Sequence, residues 1–175
     1  PNIIKHKTFQ KKDKYKVLTC ANLIKRKNID KVIKACDKFE NIELTIIGDG
    51  PEFEKLKNIS QKPIFKGHLP HNNVLEIMEN SDIFILPSEN ETFGMVYLEA
   101  MASGCITVGL KSDGIDGIII DEENGFLTEL NNIEKTLAKI ISYKNLDKIL
   151  QSSFDTIQKY SRKHAAENYL NNIIE

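Results

Sequence analysis

The loop Ser88-Glu89-Asn90-Glu91-Thr92-Phe93-Gly94 follows a short apolar run, Ile83-Phe84-Ile85-Leu86, and precedes a helical stretch from Met95 to Ser103. Gly94 has no Cβ, so backbone there can lie close to a ligand, and the amides of Met95, Val96 and Tyr97 are placed to face an anion such as a diphosphate. Glu91 and Glu99 stand eight positions apart, one in the loop and one inside the helix, so both can face one crevice from different depths. The alternative on spacing alone is a helix-dipole partner at Glu91 and a solvated carboxylate at Glu99. The neighbourhood of Glu99 argues for the crevice. Val96-Tyr97-Leu98-Glu99-Ala100-Met101-Ala102 is apolar on nearly every face, and a carboxylate there needs hydrogen-bonding partners that ligand hydroxyls would supply.

A second group is the basic triplet Lys25-Arg26-Lys27, just ahead of a helix that starts near Ile29. Cations at a helix N-terminus oppose the macrodipole at about 0.3 to 1 kcal/mol each. Either the triplet is a solvated turn, or an anion bound at Lys27 relieves the conflict. Gly48-Asp49-Gly50 invites comparison with a dinucleotide fingerprint, but Phe53 stands where the third glycine belongs, and a tight turn into Pro51 accounts for it. His68 and His71 have no nearby cysteine, and neither His6 nor His164 offers a third ligand, so a zinc site has no support. No Gly-x-Ser-x-Gly elbow, Walker-type loop or Cys/His nucleophile pair is present, which removes hydrolase and NTPase chemistry.

The elements that must position these groups alternate along the chain. Apolar runs at Val17–Ala21, Glu43–Ile47, Pro63–Lys66, Asp82–Pro87, Ile106–Gly109 and Gly125–Thr128 read as strands. Between them lie amphipathic stretches. Ile29, Val32, Ile33, Cys36 and Phe39 make one stripe; Pro51 suits the first position of a helix carrying Phe53, Leu56 and Ile59; and Asn72 or Asn73 caps one carrying Val74, Leu75, Ile77 and Met78. The segment Ser112 to Asn124 reads as irregular, and Ile133 onward as helical with breaks near Tyr143–Leu146 and Ser161. The pattern predicts an α/β fold: one Rossmann-like, three-layer αβα domain with a parallel sheet of five to six strands. Ligands of such sheets bind where strands end and helices begin, which directs attention to loops 22–28, 48–52 and 88–95.

Composition agrees. The chain has 175 residues, 24 Lys plus Arg against 25 Asp plus Glu, a net charge of -1 and 41% hydrophobic residues, a profile that fits one soluble domain and gives no field for nucleic acid. No apolar stretch approaches the roughly 20 residues that span a bilayer. Cys20, Cys36 and Cys105 lie in apolar segments and read as buried free thiols, which suits a reducing cytoplasm.

The run from Pro87 to Gly104, PSENETFGMVYLEAMASG, closely resembles the Glu-x7-Glu signature of family 4 retaining glycosyltransferases. Asn22-Leu23-Ile24-Lys25-Arg26-Lys27, Ile47-Gly48-Asp49-Gly50-Pro51, Phe65-Lys66-Gly67 and Asn124-Gly125-Phe126-Leu127 resemble the family's other loops, so the likeness runs from Val17 to about Ser142. The resemblance implies the C-terminal, donor-binding half of a GT-B fold, acting with retention and without a metal ion. It needs no cofactor beyond a nucleotide-sugar donor substrate, with UDP or GDP as the nucleotide. Glu91 would be the catalytic contact to the donor sugar near the reacting carbon. Glu99 would hold the ribose hydroxyls and Lys27 the diphosphate, and Asn22, Gly67 and the backbone of Phe93, Gly94, Met95 and Val96 would complete the donor site. The implied partners are an N-terminal acceptor-binding domain and a glycan or lipid-linked acceptor, with bacterial surface-polysaccharide assembly at the inner membrane face as the setting.

On this reading residues 1–16 are linker, 17–160 the nucleotide-sugar-binding domain and 161–175 an amphipathic helix crossing back to the other domain. Pro1 in place of Met then reads as a cut near the interdomain linker. Two positions depart from the pattern: Asn22 stands where an arginine is usual, and Asp113-Gly114-Ile115-Asp116-Gly117 replaces a Gly-Gly segment followed by Glu. A GT-B UDP-sugar epimerase and a catalytically degenerate nucleotide-binding module are the alternatives.

Overall fold

The structure, a computed structural model, describes residues 12–91 and 94–171, with side chains to residue 160. Six strands form one all-parallel sheet: β1 (Tyr15–Cys20), β2 (Ile42–Ile47), β3 (Ile64–Phe65), β4 (Ile83–Leu86), β5 (Ile106–Leu110) and β6 (Phe126–Thr128). Their spatial order is β3-β2-β1-β4-β5-β6. The helices are α1 (Ile29–Cys36), α2 (Phe53–Lys57), α3 (His71–Glu79), α4 (Met95–Ala102), α5 (Ile133–Ser142) and α6 (Leu146–Asn171). α1 packs on α2 and α5, and α4 packs on α3 and α6, so two helical layers enclose the sheet.

Residue type explains the layering. Every residue of β4 and of β5 is buried, the mark of strands covered on both faces. In α1, Ile29, Val32, Ile33, Ala35 and Cys36 turn one apolar stripe to the sheet. β1 pairs with β2 along its whole length, from Tyr15↔Ile42 to Cys20↔Ile47, but with β4 only at Val17↔Ile83 and Leu18↔Phe84. The direction of strand addition reverses between β1 and β4. The loops that leave those two strands therefore part, and a crevice opens between them.

Several expected boundaries move. β1 starts at Tyr15, inside the stretch read as linker, because Tyr15 is buried and Lys16 points outward in strand alternation. α2 begins at Phe53 rather than Pro51, since the amide of Glu52 is engaged by the Leu23 carbonyl. α3 begins at His71: the Pro70 carbonyl accepts the amides of Asn73 and Val74, so Asn72 and Asn73 lie within the first turn rather than capping it. The break at Tyr143 is present, with extended backbone there, whereas α6 runs through Ser161 without interruption, no Gly or Pro being there to end it. Ser112–Asn124 is a series of tight turns pinned by buried Ile115 and Ile119. The side chains read as crossing to another domain lie outside the described residues. Among the described residues, no helix is long and apolar enough to cross a membrane.

Candidate functional site

The crevice is a cleft of about 1280 Å³ over the β1/β4 switch point. Its floor and walls come from the loops after β1 and β2, the start of α3, the end of β4 and the inner face of α4. Asn22, Lys27, Glu91, Val96 and Glu99, all expected from sequence, line it together. Gly67, Gly94 and Met95 do not line it, and Phe93 lies outside the described residues.

Each loop is held by backbone necessity. Gly48 has φ +130, and a Cβ there would stand 1.8 Å from the Ala21 carbonyl oxygen, so only glycine lets the β2 loop close onto the β1 loop. The contact continues as Leu23 N–H donates to the Asp49 carbonyl at 2.8 Å. Gly67 supports the same junction from the far side, its carbonyl accepting the Gly48 amide at 2.8 Å. Gly94 caps α4 in left-handed conformation, and a Cβ there would meet the Tyr97 ring at 2.7 Å. Tyr97 is fully buried; its hydroxyl donates to the Leu86 carbonyl and its amide to the Gly94 carbonyl. Of the amides expected to face an anion, that of Tyr97 is therefore already engaged. Met95 is 53% exposed, so α4 is not covered on every side.

Lys25-Arg26-Lys27 forms a single 3-10 turn ahead of α1. Lys27 is buried, and its ammonium donates to Glu91 at 2.6 Å. The conflict between a cation and a helix start is thus met by a carboxylate from a loop 64 positions away. Arg26 donates to the carbonyls of Glu89 at 3.0 Å and Asn90 at 3.2 Å, and accepts the Glu89 amide on its own carbonyl. It clamps the β4 loop while lining the cleft. Asn28, in left-handed backbone, donates its side-chain amide to the Pro87 carbonyl and the Glu89 carboxylate.

Burial alone would raise the pKa of Glu91, but the Lys27 hydrogen bond and charge hold it below the ordinary 4.5. Glu91 is thereby an acceptor of hydrogen bonds and a fixed negative charge, not a proton donor, at neutral pH. Glu99 is half-exposed on the opposite wall, and His71 Nε2, as donor, stands 3.0 Å from its carboxylate. His71 is the partner the apolar surroundings of Glu99 demanded, and it was not legible because α3 and α4 meet only in the fold. Cys20 forms part of the cleft wall rather than the core; burial, then the charge of Glu99, pushes its thiol up to about 11, which leaves it protonated and unreactive. Among the described residues no group of three His, Cys, Asp or Glu side chains is placed to hold a metal ion.

Asp113 belongs to the site and was not found by motif. Its carboxylate accepts the amides of Asn90 and Glu91, both at 2.7 Å. The usable signal is topological: β5 lies beside β4 in the sheet, so a carboxylate in the loop after β5 can reach the loop after β4. Burial would raise the Asp113 pKa, and the three amides of Glu91, Gly114 and Asn90 bring it below the ordinary 3.8. The sign of the acid response follows. Glu91 and Asp113 have lower pKa values folded than unfolded, so their stabilisation is complete above 4.5 and 3.8 and is lost as pH falls through the folded values. Urea midpoints measured from pH 7 to pH 3 should drop below about pH 4.5, and the drop should be shallower in the E91Q chain.

A doubly wound parallel sheet with a charged cleft at its switch point defines the class: a Rossmann-like α/β domain built to take a ligand across the ends of β1 and β4. The chain belongs to the family described as Glycosyl transferases group 1, whose model matches residues 2–164. It is 36% identical over 121 residues to N-acetyl-alpha-D-glucosaminyl L-malate synthase of Bacillus anthracis, covering 64% of this chain and 31% of that protein. The C-terminal domain of the group 1 protein LpcC from Francisella tularensis superimposes with a TM-score of 0.73 at 28% identity, over 83% of this chain and 85% of that one. The pneumococcal O-GlcNAc transferase GtfA, solved with UDP and GlcNAc, has the same fold: TM-score 0.80 at 21% identity, over 98% of this chain and 37% of that one. The chain spans about a quarter to a half of the length of the curated relatives it matches.

Proposed function

We propose that this chain is the donor-binding domain of a retaining, metal-independent family 4 glycosyltransferase that moves a hexose from UDP- or GDP-sugar to a glycan or lipid-linked acceptor. The observation that carries the reading is the meeting of Lys27, Glu91 and Glu99 in one switch-point cleft, with Arg26 beside them. Lys27 offers a desolvated ammonium to a departing diphosphate, which in the absence of a divalent cation needs fixed positive groups. Glu91, ionised, accepts hydroxyls of the donor sugar beside the reacting carbon. Glu99, oriented by His71, accepts the ribose hydroxyls. The UDP and GlcNAc of the pneumococcal neighbour support a nucleotide-sugar ligand in this fold. An opposing N-terminal domain would bring the acceptor, and this chain alone turns nothing over. The setting we assign is surface-polysaccharide assembly at the cytoplasmic face of a bacterial membrane.

Calorimetric titration with UDP, GDP and ADP, bare and as sugar conjugates, tests this. Binding of one nucleotide and tighter binding of its sugar conjugate are expected. No binding by the chain or by the longer protein containing it would sink the reading. Within the same titrations, E99A should weaken the preferred nucleotide about ten-fold while leaving the affinity for its 2′,3′-dideoxy form nearly unchanged, because the lost partners are the ribose hydroxyls.

A further inference from the structure

The loop that presents Glu91 is not self-supporting. Asn90 sits at φ +55, in left-handed backbone that asparagine adopts more readily than other non-glycine residues but that still favours outside support. Arg26 holds the carbonyl side of this loop, at Glu89 and Asn90, and Asp113 holds the amide side. Asp113 Oδ2 accepts the Asn90 amide and Oδ1 accepts the Glu91 amide, so one carboxylate spans two successive peptide groups. Asp113 is itself fixed. Its Oδ1 also accepts the Gly114 amide at 2.7 Å, its carbonyl accepts the Asp116 amide at 2.7 Å, and two residues on, Ile115 is 1% exposed in the core. Ile115 fits there because residue 109 is glycine: a Cβ at Gly109 would stand 2.5 Å from the Ile115 side chain. A rigid path thus runs from the end of β5 through Ile115 to Asp113 and across to the β4 loop.

We propose that Asp113 is a positioning residue of Glu91, fixing through the two amides the backbone from which Lys27 receives the Glu91 carboxylate and from which that carboxylate meets the donor sugar. The inference rests on the donor-binding reading for its consequence, though not for its geometry. Both carboxylate oxygens receive N–H donors, so asparagine, of the same shape, would set its amino group against a peptide N–H. Aspartate is required by charge and acceptor count, not by volume.

Two measurements on the full chain test it. In wild type, the amide resonances of Asn90 and Glu91 should shift together with the side-chain carboxyl carbon of Asp113 during acid titration; amides that do not follow it would overturn the clamp. In calorimetry, D113N and D113A should keep UDP affinity within about two-fold yet lose about ten-fold in UDP-glucose affinity, with GDP and GDP-mannose run in parallel. The isosteric D113N losing as much as D113A separates positioning from packing. Unchanged UDP-glucose affinity in both variants overturns the proposal. If neither wild-type chain nor the longer protein containing it binds any of the four compounds, the donor-site reading falls, and with it the sugar consequence, while the amide titration still decides the clamp.

Discussion

Lys27→Ala is expected to lower affinity for the preferred nucleoside diphosphate by about one to two orders of magnitude. Two physical effects combine. The ammonium is the buried cation of the cleft, so a bound diphosphate loses a charge-assisted hydrogen bond in partly desolvated surroundings. Its removal also leaves Glu91 without its 2.6 Å partner, a negative charge facing the incoming anion. The second effect appears in stability too, as a loss of about 1 to 3 kcal/mol, below the cost of breaking a fully buried pair because both side chains keep some solvent contact. The K27A/E91A double variant separates the two. Its thermal midpoint should recover toward wild type while its nucleotide affinity stays low. If K27A binds nucleotide like wild type, Lys27 is a structural cation serving only the β4 loop.

Gly48→Ala is expected to abolish the cooperative fold, or to cost about 4 kcal/mol or more where a transition survives. The φ of +130 is unfavourable for any side chain, and the new Cβ would lie 1.8 Å from a backbone carbonyl oxygen, so strands rather than side chains would have to move. Gly67→Ala is the matched control. Its φ of +65 is strained, but a Cβ there meets nothing within 4 Å, so only the left-handed penalty of about 1 to 2 kcal/mol applies. Circular dichroism melts of the two variants should therefore differ widely. A G48A chain as stable as G67A would mean that the β1 and β2 loops do not close as described.

Much of the fold is readable in one dimension because burial on both faces writes itself as uninterrupted apolar runs. β4 and β5 are such runs, and neither lies at an edge of the sheet. Boundaries were less legible where a tertiary bond overrides a local preference. Pro51 suits a helix start, yet the Leu23 carbonyl holds the Glu52 amide and delays α2 to Phe53. Of the site, Glu91, Glu99 and Lys27 were legible because a long motif and a helix-start conflict marked them. Their partners were not. Lys27 with Glu91, His71 with Glu99 and Asp113 with the Asn90–Glu91 amides are each pairs joined only when distant segments become neighbours in the sheet or between helices.

The short seam between β1 and β4 bears on how the domain comes together. Two residue pairs join these strands, against six between β1 and β2, so the ladder is short where the N-terminal and C-terminal halves of the sheet, its two leaves, meet. The Lys27–Glu91 pair and the Arg26 clamp rivet the leaves at the mouth of the cleft. A ligand lying across the same mouth adds a further rivet, and at one hundred times its Kd would contribute about 2.7 kcal/mol to cohesion. For any ligand that bridges the two loops, binding and cohesion of the domain are in this sense coupled.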